Sequence, residues 1–186
     1  MTGILDSGLD ALVSMHRCVE MAAQELATLN QDRLQCRKGC CSCCEDGLTV
    51  FSIEADLLRA MYPKLLQQEA AAPPGQCAFL DGSGGCRVYE HRPYVCRTQG
   101  LPLRWVEEAA EDEWVEYRDI CPLNEAGEPI EQLETNECWL IGPFEGQLAQ
   151  IQHTRSGDFE RVALRNLFQN QVRSSQDQSL AKKMDV

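Results

Sequence analysis

Five cysteines fall within nine residues, Cys36-Arg37-Lys38-Gly39-Cys40-Cys41-Ser42-Cys43-Cys44, a density that a packed core does not need. Clustered thiols of this kind bind metal. A thiolate–metal bond is about 2.3 Å long, so the ligands of one centre must converge closely. Spacings of two or three residues let one loop deliver several sulfurs to one point, and Gly39 gives that loop the backbone freedom it needs. Arg37 and Lys38 add positive charge where thiolate charge gathers, which favours the ligating form. More thiols follow downstream. Cys77, Cys86 and Cys96 are separated by eight and nine residues, with the turn Asp81-Gly82-Ser83-Gly84-Gly85 between the first two. Cys121 precedes Pro122, as the final ligand does in ferredoxin-type runs. Together Cys36, Cys40, Cys43, Cys44, Cys77, Cys86, Cys96 and Cys121 give eight candidate ligands, enough for two four-cysteine sites or one cluster plus one zinc.

Other residues in the same neighbourhood read differently. Cys18, beside Met15, Val19 and Ala22, reads as a small buried hydrophobe, and Cys138 next to Trp139 reads the same way. Cys41 is a spare ligand, a reactive thiol or a bystander. His16 lies on a helical stripe and reads as a core or edge residue. His91 sits among the cysteines, and with Glu90, Arg92 and Arg97 it forms a supporting layer or a salt-bridged loop around them. Cys40-x2-Cys43 and Cys41-x2-Cys44 match the redox dithiol spacing, but the βαβ setting of that motif is missing from the sequence pattern. Cys36-x3-Cys40-x2-Cys43 matches the spacing of radical enzymes that use adenosylmethionine, yet those are much longer barrels with a strand before the motif. No general base, nucleophile elbow or phosphate loop is visible, so nothing in the sequence argues for catalysis.

The elements that position these thiols are partly legible. Residues 7–30 keep helical spacing through Leu9, Leu12, Val13, Ala23 and Leu26, with Ser7 as the expected N-cap. Ser52 opens a second helix with Ile53, Leu57, Leu58, Met61 and Leu65 on one face, which Pro63 ends or kinks. Residues 70–75 are a linker by composition. Leu103–Val106 and Trp114–Tyr117 alternate like two strands of a hairpin, joined by the acidic turn Glu108 to Glu113. Phe144–Thr154 and Phe159–Phe168 are weaker helical candidates. The tail from Gln169 reads as frayed. The expected domain is therefore residues 1–168 with its cysteine core at 36–124, followed by a flexible tail over 169–186.

Three motifs resemble the YkgJ-like cysteine-cluster family, described as zinc- or iron-chelating. They are Cys36-x3-Cys40-x2-Cys43-Cys44 followed by Phe51-Ser52-Ile53-Glu54-Ala55, then Cys77-Ala78-Phe79-Leu80-Asp81 with Cys86-Arg87-Val88-Tyr89-Glu90-His91-Arg92-Pro93 and Cys96-Arg97, and last Cys121-Pro122-Leu123-Asn124. Cys41 departs from the pattern, and Cys18 and Cys138 lie outside it. The resemblance implies metal chelation and leaves the metal and its purpose open.

Composition bounds the partners. The chain has 186 residues, 17 basic and 29 acidic, for a net charge of −12, a surface that repels phosphate backbones. Nucleic acid is therefore not an expected partner. No apolar run approaches the roughly 20 residues that span a bilayer, and no basic amphipathic stretch suits a membrane surface. The start, Met1-Thr2-Gly3-Ile4-Leu5-Asp6, lacks signal-peptide features, so the expected location is cytoplasmic and the eleven cysteines are expected as thiols. The expected fold is α+β, a small, helix-rich, metal-stapled domain with irregular cysteine loops and a minor β-hairpin. The expected cofactor is an iron–sulfur cluster, slightly favoured, or Zn2+. The role is electron transfer or redox with a protein partner, or else a zinc-stabilised interaction or metal-handling module.

Overall fold

The long helix α1 (Ser7–Leu29) sets one side of the molecule, and its apolar stripe Leu9, Leu12, Met15, Val19 and Ala23 is buried. The structure, a computed structural model, describes residues 6–36, 39–111 and 113–168. The tail expected from Gln169 and the basic pair Arg37–Lys38 lie outside the described residues. The N-cap of α1 is Asp6 rather than the expected Ser7. Its Oδ1 accepts from the backbone N–H groups of Gly8 at 2.9 Å and Leu9 at 3.0 Å. A carboxylate satisfies two free donors and also suits the positive end of the helix dipole, so it displaces the hydroxyl one residue on. At the other end Asn30 donates from Nδ2 to Leu26 O and to Glu137 O, tying the helix to a distant loop.

Helix α2 (Ser52–Met61) lies between two apolar clusters and feeds both. Ile53 and Leu57 pack against the α1 stripe with Tyr94, Leu101, Trp139 and Leu148. Ala55 and Leu58 face the other cluster, with Val50, Leu66, Phe79, Val88, Leu164, Leu167 and Phe168. Pro63 ends α2 and starts α3 (Pro63–Gln68), where its missing N–H costs nothing at the first helical position. Met61, expected on the inner face, is 42% exposed, because the helix stops there and the chain turns away. A short helix α4 (Tyr94–Thr98) and α5 (Pro143–Ser156) complete the helices among the described residues. The start of α2 is docked on α5 by Gln152, fully buried, which accepts from Ile53 N at 2.9 Å and donates to Ser52 Oγ at 2.8 Å.

Two small sheets accompany the helices. Strands β2 (Leu103–Ala110) and β3 (Glu113–Asp119) form the expected antiparallel hairpin, with β4 (Trp139–Leu140) running parallel beside β2. The strands run further than expected, through the acidic residues read as a turn. Beyond Val106 both faces of this ribbon are exposed, so no apolar alternation marked its length in the sequence. The second sheet pairs β1 (Thr49–Phe51) with β5 (Arg161–Ala163). This corrects the helix expected over Phe159–Phe168, which is a strand followed by a 3₁₀ turn at Leu164–Leu167. Backbone pairing with Thr49–Phe51 and burial of Leu164, Leu167 and Phe168 outweigh the weak helical spacing of that segment. The fold is α+β.

Candidate metal centre

The cysteine-rich loop between α1 and β1 is irregular, held by turns in which Cys44 N donates to Cys41 O at 2.9 Å and Glu45 N to Cys43 O at 3.2 Å. Three other segments come to it. Cys77 N donates to Cys44 O at 3.0 Å, which places the second cysteine segment directly against the end of the first. Cys86 pairs with Leu80 in an isolated antiparallel bridge. The turn between them is closed by Asp81, whose Oδ1 accepts from the N–H groups of Ser83 and Gly85, each at 2.8 Å. Arg87 braces the same loop through Ala78 O at 2.7 Å and Ala70 O at 3.0 Å. Arg165, from the 3₁₀ turn after β5, salt-bridges Asp46 at 2.7 Å and donates to the carbonyls of Ala72, Pro73 and Gln76. The linker at 70–75 is thus pinned down.

Cys96 sits in α4, and α4 is anchored on both sides. Glu54 of α2, 4% exposed, accepts from Tyr94 N at 2.7 Å. Tyr94 in turn donates from its hydroxyl to Glu145 at 2.5 Å and accepts from Trp139 Nε1 at 3.0 Å. Arg92 and Arg97 both reach Glu20 of α1, at 3.0 and 2.9 Å. Arg92 also donates to Cys96 O at 3.3 Å, and Arg97 to Glu90 O at 3.2 Å. These arginines therefore form a salt-bridged loop behind the cysteine. His91 is engaged by Tyr62, whose hydroxyl lies 2.9 Å from Nδ1. His16 is a core residue, 4% exposed, with Nε2 3.7 Å from Glu54, and burial holds its pKa below the ordinary value.

The fourth segment is the 3₁₀ turn Pro122–Asn124 that follows Cys121. It is the third of the motifs quoted from the sequence, and within it Asn124 is fully buried and its Nδ2 donates to Cys36 Sγ at 3.3 Å and to Gly100 O at 2.7 Å. Gly100 has φ +95°, and a Cβ there would stand 2.7 Å from Cys36 Sγ. An Asn after Cys-Pro and a lone Gly carry no ligand chemistry of their own, so neither signal stands out in one sequence.

The thiols influence one another in two sets that share Cys43, which acts on Cys36, Cys44 and Cys96. Burial raises the Cys36 pKa, and the neighbouring thiols of Cys40, Cys121 and Cys43 raise it further. Burial likewise pushes Cys96 up to about 12, with Cys77 and Cys86 adding to it, and it raises Cys86 beside Cys77. Cys44 is held up by its neighbour Cys43, with Cys77 and Cys96 also within electrostatic reach, and Cys43 is held down by the same pairing. Cys36 and Cys43 are exposed, whereas Cys44, Cys77, Cys86 and Cys96 are all partly covered. Among the described residues, no three His, Cys, Asp or Glu side chains stand close enough to hold an ion as they are. The donors nevertheless suit zinc or iron, since sulfur is the soft ligand both accept and no rival oxygen cage is present among the described residues.

Of the cysteines set aside, Cys138 is buried as expected, whereas Cys18 is exposed. Met15 and Val19 take the core side of α1, and Cys18, one residue off that stripe, faces solvent. Cys41 is partly covered and lies against Gly84. No helix among the described residues is long and apolar enough to cross a membrane. No curated protein and no solved structure matches the chain. Residues 35–122, which contain all eight candidate ligands, match the family model CxxCxxCC, described as "Putative zinc- or iron-chelating domain". The match agrees with the YkgJ-like motifs that the sequence carries over the same residues.

Proposed function

We propose that the chain binds metal through two neighbouring groups of four thiolates, Cys36, Cys40, Cys43 and Cys121 in the outer group and Cys44, Cys77, Cys86 and Cys96 in the inner one. The observation that carries this reading is the meeting of four separate segments, with the Cys77 N–H on the Cys44 carbonyl and the Asn124 amide on the Cys36 sulfur. In this reading Cys43 serves the outer group with Cys36, and Cys44 the inner group with Cys77. Closing each shell requires the sulfurs to draw together as metal binds, which couples binding to folding. The metal is iron, as an iron–sulfur cluster, or zinc. Three close thiolates plus a remote Cys-Pro favour the cluster for the outer group. A bound cluster would supply one-electron chemistry, and the net charge of −12 would steer a basic redox partner.

A zinc-stabilised interaction or metal-handling module is the second reading, favoured by the arithmetic of eight thiolates in two sets of four, which suits two closed zinc sites. Anaerobic purification under iron-replete conditions separates the two. The cluster reading expects a brown protein whose visible absorption is bleached by dithionite. A colourless protein with stoichiometric zinc would overturn it and leave the second reading.

A further inference from the structure

Asn124 does more than fill space behind Cys121. Its Oδ1 accepts from Gln35 N at 2.7 Å, while Nδ2 donates to Gly100 O at 2.7 Å and to Cys36 Sγ at 3.3 Å. Its own backbone N–H closes the turn onto Cys121 O at 2.7 Å. The amide orientation is fixed by its partners, because a flipped amide would set N–H against the Gln35 donor and oxygen against the Gly100 carbonyl. One N–H would suffice to tie Gly100. The second is aimed at sulfur. On the same side the sulfur lies against Gly100, where a Cβ would stand 2.7 Å from it and 3.4 Å from Asn124 Nδ2.

Resting on the metal reading above, we propose that Asn124 is the positioning residue of the outer group: its N–H···S bond orients the Cys36 thiolate and retains the metal held by Cys36, Cys40, Cys43 and Cys121. An amide donor to a ligating sulfur spreads thiolate charge and fixes the direction of its lone pairs, and such supporting contacts are worth about 10–100-fold in metal affinity. Because Asn124 also holds Gln35 and Gly100, it registers the first cysteine segment against the turn that carries Cys121. Its side-chain hydrogen bonds go to Gln35, Gly100 and Cys36, so its effect is expected on the outer group.

Asn30 provides a matched control. It is also buried, at 5% exposure, and its Nδ2 ties two carbonyls, Leu26 O and Glu137 O, with no sulfur partner. Asn124→Asp and Asn30→Asp each turn an amide donor toward carbonyls into a carboxylate, so both should lower the melting temperature. The full-length protein reconstituted with cobalt(II) gives the discriminating readout, through thiolate-to-cobalt charge-transfer absorption and the rate of cobalt loss to EDTA. Asn124→Asp should shift the charge-transfer band and release about half of its cobalt at least about tenfold faster than wild type. Asn30→Asp should release cobalt as wild type does. Equal release rates in Asn124→Asp and wild type, or equal acceleration in both variants, would overturn the proposal while the metal reading stands. A wild-type chain that takes up no cobalt would overturn both. Should Asn124→Asp fail to fold, the Asn124 side-chain amide resonances of wild type decide: slow exchange and a shift on metal loading are expected, and fast exchange with no shift contradicts the assignment.

Discussion

Each cysteine of the loop between α1 and β1 has its own surroundings, and these differ enough to separate ligand from bystander by substitution. Cys43 stands within electrostatic reach of Cys36, Cys44 and Cys96, so in the proposed assignment its loss opens the outer shell. Cys41 lies against Gly84 and is assigned to neither group in the proposal. Cys43→Ser should therefore lower metal per chain to about half and reduce the melting temperature, because a lost ligand forfeits binding energy that is also folding energy. Cys41→Ser should leave both near wild type. Elemental analysis and thermal unfolding of the two variants, handled anaerobically, check this; metal loss in Cys41→Ser alone would reverse the assignment. The eight thiols were legible because cysteines at such spacings have few other uses. Gly100 was not, and Asn124 and Glu54 stood in the quoted motifs without a role, since an amide, a glycine and a carboxylate become informative only when a fold brings them to a sulfur or a buried backbone N–H.

At the scale of elements, α1 and α2 form the platform on which the cysteine loops rest. Leu12 is fully buried within the α1 stripe, and Ile53 and Leu57 face it from α2. Leu12→Ala should cost about 2–5 kcal/mol, read as a lower midpoint in denaturant at unchanged slope. The junction of α1 with α5 adds a pH-dependent contribution. Asp6 caps α1 and salt-bridges Arg155 at 3.0 Å, and that guanidinium, ahead of the cap bond to Leu9, holds the Asp6 carboxyl below its ordinary 3.8. A lowered carboxylate pKa contributes stability that is fully present above the ordinary value and is lost as pH falls through the folded one. Asp6→Asn keeps a capping group and loses the charge. It should melt lower than wild type at neutral pH, by at most about 1 kcal/mol for so exposed a pair, with the gap closing below about pH 4. A gap that persists unchanged in acid would contradict the role of the charge. The periodicity of α1, α2 and α5 made these helices readable. β1, β4 and β5 are two or three residues long and exist through pairing with distant segments, which a local pattern cannot announce.

The whole molecule is organised so that four segments far apart in sequence meet at the cysteine-rich loop, with the two apolar clusters behind them and charged side chains around them. In the proposed account a chain with only 6% aromatic residues would gain stability when metal joins those segments, and the apo form would be the weaker one. The resemblance of residues 36–124 to a chelating family already named metal. The proposed partition of the thiols into outer and inner groups needed the fold, because it depends on which cysteine lies beside which backbone. The most direct test is metal content of the full-length protein after anaerobic purification and gel filtration, with thermal unfolding before and after exposure to a strong chelator. The account predicts zinc or iron in near-stoichiometric amount and a clear fall in melting temperature once it is removed. A well-folded, metal-free protein whose melting temperature the chelator leaves unchanged would contradict it.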